Sequence, residues 1–366
     1  MSTFNNVYKN KKVVITGNTG FKGSWLSIWL NELGAEVYGI SNEIPTEPSN
    51  FKVSSLDKII QYHEIDIRKY NDLSNFILKI KPDFIFHLAA QALVYSAYQD
   101  PLYTYETNVL GTINVMESLK KLKNKCTVVM ITSDKCYENV EWIWGYKETD
   151  TLGGKDPYSS SKACAELAIY SYYNSFFSKK EYSNISICSA RAGNVIGGGD
   201  WASNRIIPDA INSWYNETTL EIRSPRATRP WQHVLEPLSG YLHLGLKLFN
   251  NSSLSGESFN FGPTQDSNYS VEKLLNELSQ NLENLKWVDK SKSAVFNEAG
   301  LLKLNCDKAL SFINWKPNLN FEETIKFVSD WYIEFKLEGD NMYDFNVSQI
   351  NNFIEIAQYN NLTWAS

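Results

Sequence analysis

The chain has 366 residues, enough for about two domains or for one large α/β unit with a smaller lobe. Apolar residues make up 43% and charged residues 21%, which excludes a disordered chain, a collagen and a coiled coil. The 35 Lys and Arg residues stand against 41 Asp and Glu, a net charge of -6 with no basic run, so no nucleic-acid surface is expected. No apolar run reaches the roughly 18 residues of a membrane span. Residues 1–12 are polar and lack the apolar stretch of a signal peptide, so a cytoplasmic protein is expected. Cys126, Cys136, Cys164, Cys188 and Cys306 form no CxxC and have no His at ligand spacing. Neither a disulfide framework nor a metal site is expected.

In chain order, residues 13–16 are a short β-branched run that stops at Gly17. Residues 21–33 then place Trp25, Leu26, Trp29, Leu30 and Leu33 at helical spacing, with Gly34 as a C-cap. Further strands are expected at 36–40, 63–67, 84–90, 127–133 and 185–190. Helices at 70–80, 101–122 and 158–177 alternate with them. Continuous apolar strands spaced by helices predict an α/β fold, a Rossmann-like doubly wound parallel sheet. After Arg191 the chain is punctuated by Gly, Asn, Pro and Trp. Helices at 238–249, 271–282 and 321–338 and a strand at 258–261 are expected there. The division is a dinucleotide-binding domain of residues 1–193, rejoined by 230–262, and a smaller interleaved substrate lobe of 194–229 and 263–366. The tail after Gly339 is Asn-rich and shows no pattern.

Gly17, Gly20 and Gly23 lie where the first strand becomes the first helix. One glycine can supply a tight turn, the next lets backbone N–H groups approach a pyrophosphate, and the third permits close packing. An ordinary glycine turn is the plain alternative. No Arg or Lys lies between Lys22 and Lys52, so NAD is favoured over NADP. Asp66, past the third strand, could reach an adenine or cap a helix.

Tyr158 and Lys162 are spaced i, i+4 and share a helix face. A tyrosine with an ordinary pKa of about 10 is no base at neutral pH. A lysine one turn away favours the phenolate, which would make Tyr158 a base for a sugar hydroxyl. Ser133-Asp134-Lys135 ends the fifth strand, at the sheet edge where ligands bind in such folds. Ser133 can hydrogen-bond the reacting oxygen, while Asp134 and Lys135 can act as an acid and base pair or form a structural ion pair.

These motifs, with His87-Leu88-Ala89-Ala90-Gln91, resemble in order the extended short-chain dehydrogenase/reductase family of nucleotide-sugar enzymes. The likeness covers about residues 12–262. Gly20-Phe21-Lys22-Gly23-Ser24-Trp25-Leu26, Asp156-Pro157-Tyr158, Arg191-Ala192-Gly193-Asn194 and Arg229-Pro230-Trp231-Gln232-His233 resemble its 4,6-dehydratases. Lysine at 135, where the dTDP-sugar enzymes carry Glu, resembles the CDP-sugar branch. The resemblance implies NAD, which takes a hydride from C4 and returns it to C6. It implies Tyr158 as the base at the 4-hydroxyl, Lys135 or a water it holds as the base at C5, and Asp134 as the acid at the 6-hydroxyl. It places the cofactor against Gly17, Thr19, Gly20, Phe21, Lys22, Gly23, Asp66, Ile67, Leu88, Ala89, Ala90, Thr107, Tyr158 and Lys162. It places the substrate against Gln91, Asn194, Asn204, Arg205, Arg229 and Asn260. His233 reads as a core histidine. A homodimer is implied through helices 101–122 and 158–177, with Tyr172, Tyr173, Phe176 and Phe177 supplying apolar area although some of them must face the sheet. A 4-epimerase of the same fold, or a non-enzymatic dinucleotide-binding protein, are the alternatives.

Overall fold

The computed structural model describes residues 3–291, 301–339 and 341–366. Seven parallel strands form the central sheet: β1 (Lys12–Thr16), β2 (Glu36–Ser41), β3 (Gln61–Glu64), β4 (Phe84–His87), β5 (Cys126–Ile131), β6 (Ile185–Ala192) and β7 (Ser258–Phe261). Their spatial order is β7-β6-β5-β4-β1-β2-β3. The order reverses between β1 and β4, so a crevice opens there at the carboxyl ends of the strands. β5 and β6 are buried at every residue, as the continuous apolar runs require.

Alternate residues of each strand feed two cores. Val14, Ile85, Val128 and Ile187 face one side, packed by α2 (Tyr70–Ile80), α3 (Gly111–Lys121) and α4 (Pro157–Tyr172). Val13, Phe86, Val129 and Cys188 face the other, packed by α1 (Phe21–Glu32) and α5 (Leu235–Asn250). α4 starts where Asp156 caps it, its carboxylate accepting from Ser159 N at 3.0 Å, with Pro157 at the first helical position.

The expected strands at 84–90 and 127–133 end earlier, at His87 and Ile131, so Ser133 and residues 88–90 lie on loops at the sheet edge. The strand expected at 63–67 is Gln61–Glu64. The expected helix 101–122 is broken by a wide turn at Glu106–Leu110. α6 (Phe321–Glu338) is followed by a helix that the sequence pattern did not reveal, α7 (Tyr343–Tyr359). α7 packs on α1, and Trp364 beyond it stacks on Phe353 and Phe4, with ring centroids 5.6 and 5.3 Å apart. The chain's two ends therefore seal the outer face of α1.

Some of Tyr172, Tyr173, Phe176 and Phe177 pack inward, as expected of residues of which part must face the sheet. Phe177 is buried, the Tyr172 hydroxyl donates to Glu117 at 2.8 Å, and the Lys120 ammonium lies 3.9 Å from the Phe176 ring centre. The exposed apolar residues of those two helical stretches are Leu102 (70%), Leu110 (53%), Leu167 (54%) and Tyr170 (66%).

Candidate active site

The glycine loop turns through Gly17, whose φ of +73° favours glycine. A Cβ at Gly17 would sit 2.7 Å from Ala89 N, and one at Gly23 would sit 2.1 Å from Gly17 O. Gly20 is different: its nearest neighbour would be 3.4 Å away. The loop is therefore closed at Gly17 and Gly23 and open at Gly20. α1 begins there without a side-chain cap, so its first N–H groups are available to an anion.

The floor of the crevice is one hydrogen-bond chain. Ala89 N donates to Thr16 Oγ1 (3.1 Å), and Thr16 Oγ1 to His87 Nδ1 (2.7 Å). His87 Nε2 then meets Thr112 Oγ1 (3.1 Å), which donates to Asn108 O (2.7 Å). Burial, and then the charge of Lys162, push His87 down to about 3, so it stays neutral. Asn108 binds the Gln91 backbone and reaches Ser161 Oγ on α4 at 2.8 Å. The chain ties the loop after β4 to the helix that carries Tyr158 and Lys162.

A cavity of about 410 Å³ lies beyond the ends of β2 and β3, lined by Asn42, Glu64, Asp66, Arg68 and Asp72 among others. Asp66 is gripped by Arg68 at 2.6–3.0 Å. Burial pushes its carboxyl up, but the hydrogen bonds from Arg68 outweigh it and hold it below the usual range. Ile67 fills the space that a side chain at 111 would need, Cδ1 lying 2.4 Å from a Cβ built on Gly111. The Thr107 hydroxyl, in the wide turn, is buried without a hydrogen-bond partner among the described residues. An open loop at Gly20, uncapped helix amides, an adjoining cavity and an orphaned hydroxyl are what a dinucleotide requires, so these residues fit NAD.

At the other end of the crevice, Ser133, Asp134 and Tyr158 meet. Ser133 Oγ donates to Asp134 Oδ1 at 2.9 Å and accepts from Lys135 N at 3.3 Å. Asn194 Nδ2 donates to Asp134 Oδ2 at 3.3 Å. Burial raises Tyr158 to about 12, helped by the charge of Asp134; the Ser133 hydroxyl and Arg205 oppose it. Lys162 is itself buried, which lowers it to about 8. Lys22 reaches the same corner. Burial, then repulsion from Lys162 and Arg205, lowers it to about 8, and it makes no hydrogen bond or ion pair among the described residues. Three cations, Lys22, Lys162 and Arg205, thus face Asp134 and Asp200, with Arg205 paired to Asp200 at 3.0 Å.

The substrate candidates separate. Asn194 and Arg205 lie at this corner, and Asn204 is exposed beside Arg205. Arg229 sits on the short strand Thr228–Arg229, paired with Tyr269–Ser270, and donates to Thr228 O at 2.8 Å. Gln91 and Asn260 stand apart. The Gln91 amide is committed to Leu93 and Thr104. Asn260 is fully buried, bonded to Tyr137, Tyr146 and Asn305, and so builds the wall. His233 is buried in the core, and burial lowers it to about 3.

Beneath the corner lies a buried pair that the sequence reading missed. Arg191 Nη2 meets Glu166 Oε2 at 2.7 Å, and Ser189 Oγ donates to the same oxygen at 2.9 Å. Arg191 also donates to the Tyr137 hydroxyl at 2.7 Å. A lone arginine within an otherwise uncharged strand, and a glutamate four residues after Lys162, were the signals. Arg191→Met leaves the Glu166 carboxylate buried and unpaired, and is expected to cost about 3–5 kcal/mol. Urea unfolding measures it, and Glu166→Leu in the same chain should restore part of the loss.

The comparisons with known proteins agree with this geometry. A CDP-glucose 4,6-dehydratase of Salmonella typhimurium is 42% identical over 352 residues, 95% of this chain and 98% of that protein. An epimerase of Methanothermobacter thermautotrophicus has the same fold, with a TM-score of 0.77 at 23% identity over 91% of this chain and 95% of that one. A UDP-glucuronic acid 4-epimerase of Bacillus cereus, solved with UDP-glucuronic acid and NAD, gives 0.74 at 20% identity over 88% and 99%. Residues 14–328 match the GDP-mannose 4,6 dehydratase family, and the chain belongs to that family.

Proposed function

We propose that the protein is a nucleotide-sugar 4,6-dehydratase that converts CDP-glucose to CDP-4-dehydro-6-deoxyglucose and water with bound NAD. The observation that carries this is the meeting of Ser133, Asp134 and Tyr158 beside Lys135 and Lys162 at the carboxyl edge of the sheet. The 42% identity with a CDP-glucose 4,6-dehydratase supports it. Bound NAD supplies a hydride acceptor at C4 and a hydride donor at C6. Gly17, Gly20 and Gly23, the α1 amides, Asp66, Ile67, Thr107 and Lys162 would hold it. Tyr158 takes the proton of the 4-hydroxyl, with Ser133 on the same oxygen. The ketone formed at C4 acidifies C5, and Lys135 removes that proton. Asp134 protonates the departing 6-hydroxyl. Asn194, Asn204, Arg205 and Arg229 would hold the sugar and diphosphate, the guanidinium forks matching phosphate oxygens. A 4-epimerase needs no acid at C6, and an Asp134 fixed by two hydrogen bonds favours elimination. Incubation with a panel of nucleoside-diphosphate hexoses tests this by mass spectrometry. Loss of one water from CDP-glucose is expected, and an isomer of unchanged mass would favour the epimerase.

The exposed Leu102, Leu110, Leu167 and Tyr170 would be covered in a homodimer of the paired helices. Leu167→Glu combined with Leu102→Glu should then halve the mass measured by light scattering. A wild-type mass equal to one chain would refute the dimer.

A further inference from the structure

A second cavity, of about 10 Å³, adjoins Asp134 and is lined by Asn194, Gln232 and Lys303 among others. That volume suits one water-sized group. Lys303 donates to Gln265 O at 3.4 Å. Gln232 is 2% exposed. Its backbone N–H donates to Asn194 O at 3.2 Å, and its Nε2 donates to Gly193 O and Phe261 O at 3.0 Å each. Two carbonyl partners fix which end of the amide is NH₂, so the other end is oxygen. That Oε1 is buried and has no hydrogen-bond partner among the described residues. A buried acceptor in this state calls for a group that brings a hydrogen. Asp134 is on the same cavity wall, its two oxygens already oriented by Ser133 and Asn194.

We propose that this cavity receives the leaving water, with Gln232 Oε1 accepting the hydrogen that the 6-hydroxyl keeps while Asp134 adds the second. The inference rests on the dehydratase reading. The C5 proton goes to Lys135, and its electron pair forms the C5–C6 double bond. The C6–O bond breaks with its pair on oxygen, and the Asp134 carboxyl proton joins that oxygen to give water. A free hydroxyl rotates about the C6–O bond. With its own hydrogen on Gln232, its lone pair is left toward Asp134. Gln232 is then a catalytic residue that touches the leaving group.

The test compares CDP-glucose with its 6-deoxy-6-fluoro analogue. Fluoride carries no hydrogen, so Gln232 has nothing to accept from it, whereas Asp134 still serves. Gln232→Met should slow water loss from CDP-glucose about tenfold and leave fluoride release, read with an electrode, unchanged. Equal slowing of both would mean that Gln232 only holds Gly193 and Asn194 against Asp134, and would overturn the proposal, as would unslowed water loss. Wild-type enzyme that releases neither water nor fluoride refutes the dehydratase reading, and this proposal with it. If Gln232→Met does not fold, a high-resolution crystal structure of the wild type decides. A water bonded to both Gln232 Oε1 and Asp134 supports the site; a cavity filled by the Lys303 ammonium sinks it.

Discussion

Tyr158→Phe should remove at least 10²–10⁴-fold of turnover, the usual worth of a general base. The substitution deletes one oxygen from a buried ring and leaves α4, Ser133 and Lys162 in place. The phenol needs help to ionise, because burial holds it near 12. Ser133 and Arg205 lower it, and the crevice adds two further cations, Lys22 and Lys162, at the same corner. Loss of the 4-hydroxyl proton precedes everything else, since C5 is acidic only beside a C4 ketone. Two measurements follow from that order. Mass spectrometry should find no dehydrated sugar, and substrate recovered from D₂O should carry no deuterium at C5. Deuterium at C5 with Phe at 158 would mean that another group starts the reaction.

Much of this site was legible because its parts are local in sequence. Gly17, Gly20 and Gly23 each do a separate job, and the order of jobs follows from a strand turning into a helix. The i, i+4 spacing of Tyr158 and Lys162 needs only a helix, which Asp156 and Pro157 announce. Sequence reasoning failed where partners are distant. Glu166 and Arg191 are joined only because α4 crosses β6. Asn260 and Gln91 lay beside ligand-like motifs, yet their amides are consumed by the wall and by a loop. The tail helix α7 was hidden by its own buried polar residues. Asn346 accepts from Trp331 Nε1 at 2.7 Å and donates to Asn50 and Ser54, and Gln349 donates to Phe327 O at 2.8 Å. A helix face that buries amides among rings does not show a clean apolar period.

Lys135→Ala and Asp134→Asn should separate elimination from oxidation. The Lys135 backbone N–H is anchored to Ser133 Oγ, and its ammonium makes no hydrogen bond or ion pair among the described residues, so Lys135→Ala costs the fold little. Tyr158, Ser133 and Lys162 survive in both variants, so the 4-hydroxyl can still be oxidised. In Lys135→Ala the C5 proton then has no base. Water loss and deuterium uptake at C5 should fall together, by about 10²–10⁴-fold. In Asp134→Asn the base remains and the acid is gone. C5 should still exchange with solvent while the 6-hydroxyl stays, so deuterated, undehydrated sugar should be recovered. Asn at 134 keeps an oxygen for Asn194 Nδ2 and turns an NH₂ to the Ser133 hydroxyl, which accepts as well as donates, so both neighbours keep a partner. Denaturant unfolding should therefore find the variant close to the wild type in stability, and the loss should be in the chemistry. Near-normal turnover of Lys135→Ala would make Lys135 a binding lysine. The base at C5 would then be sought at Lys22, which like Lys162 makes no hydrogen bond or ion pair among the described residues.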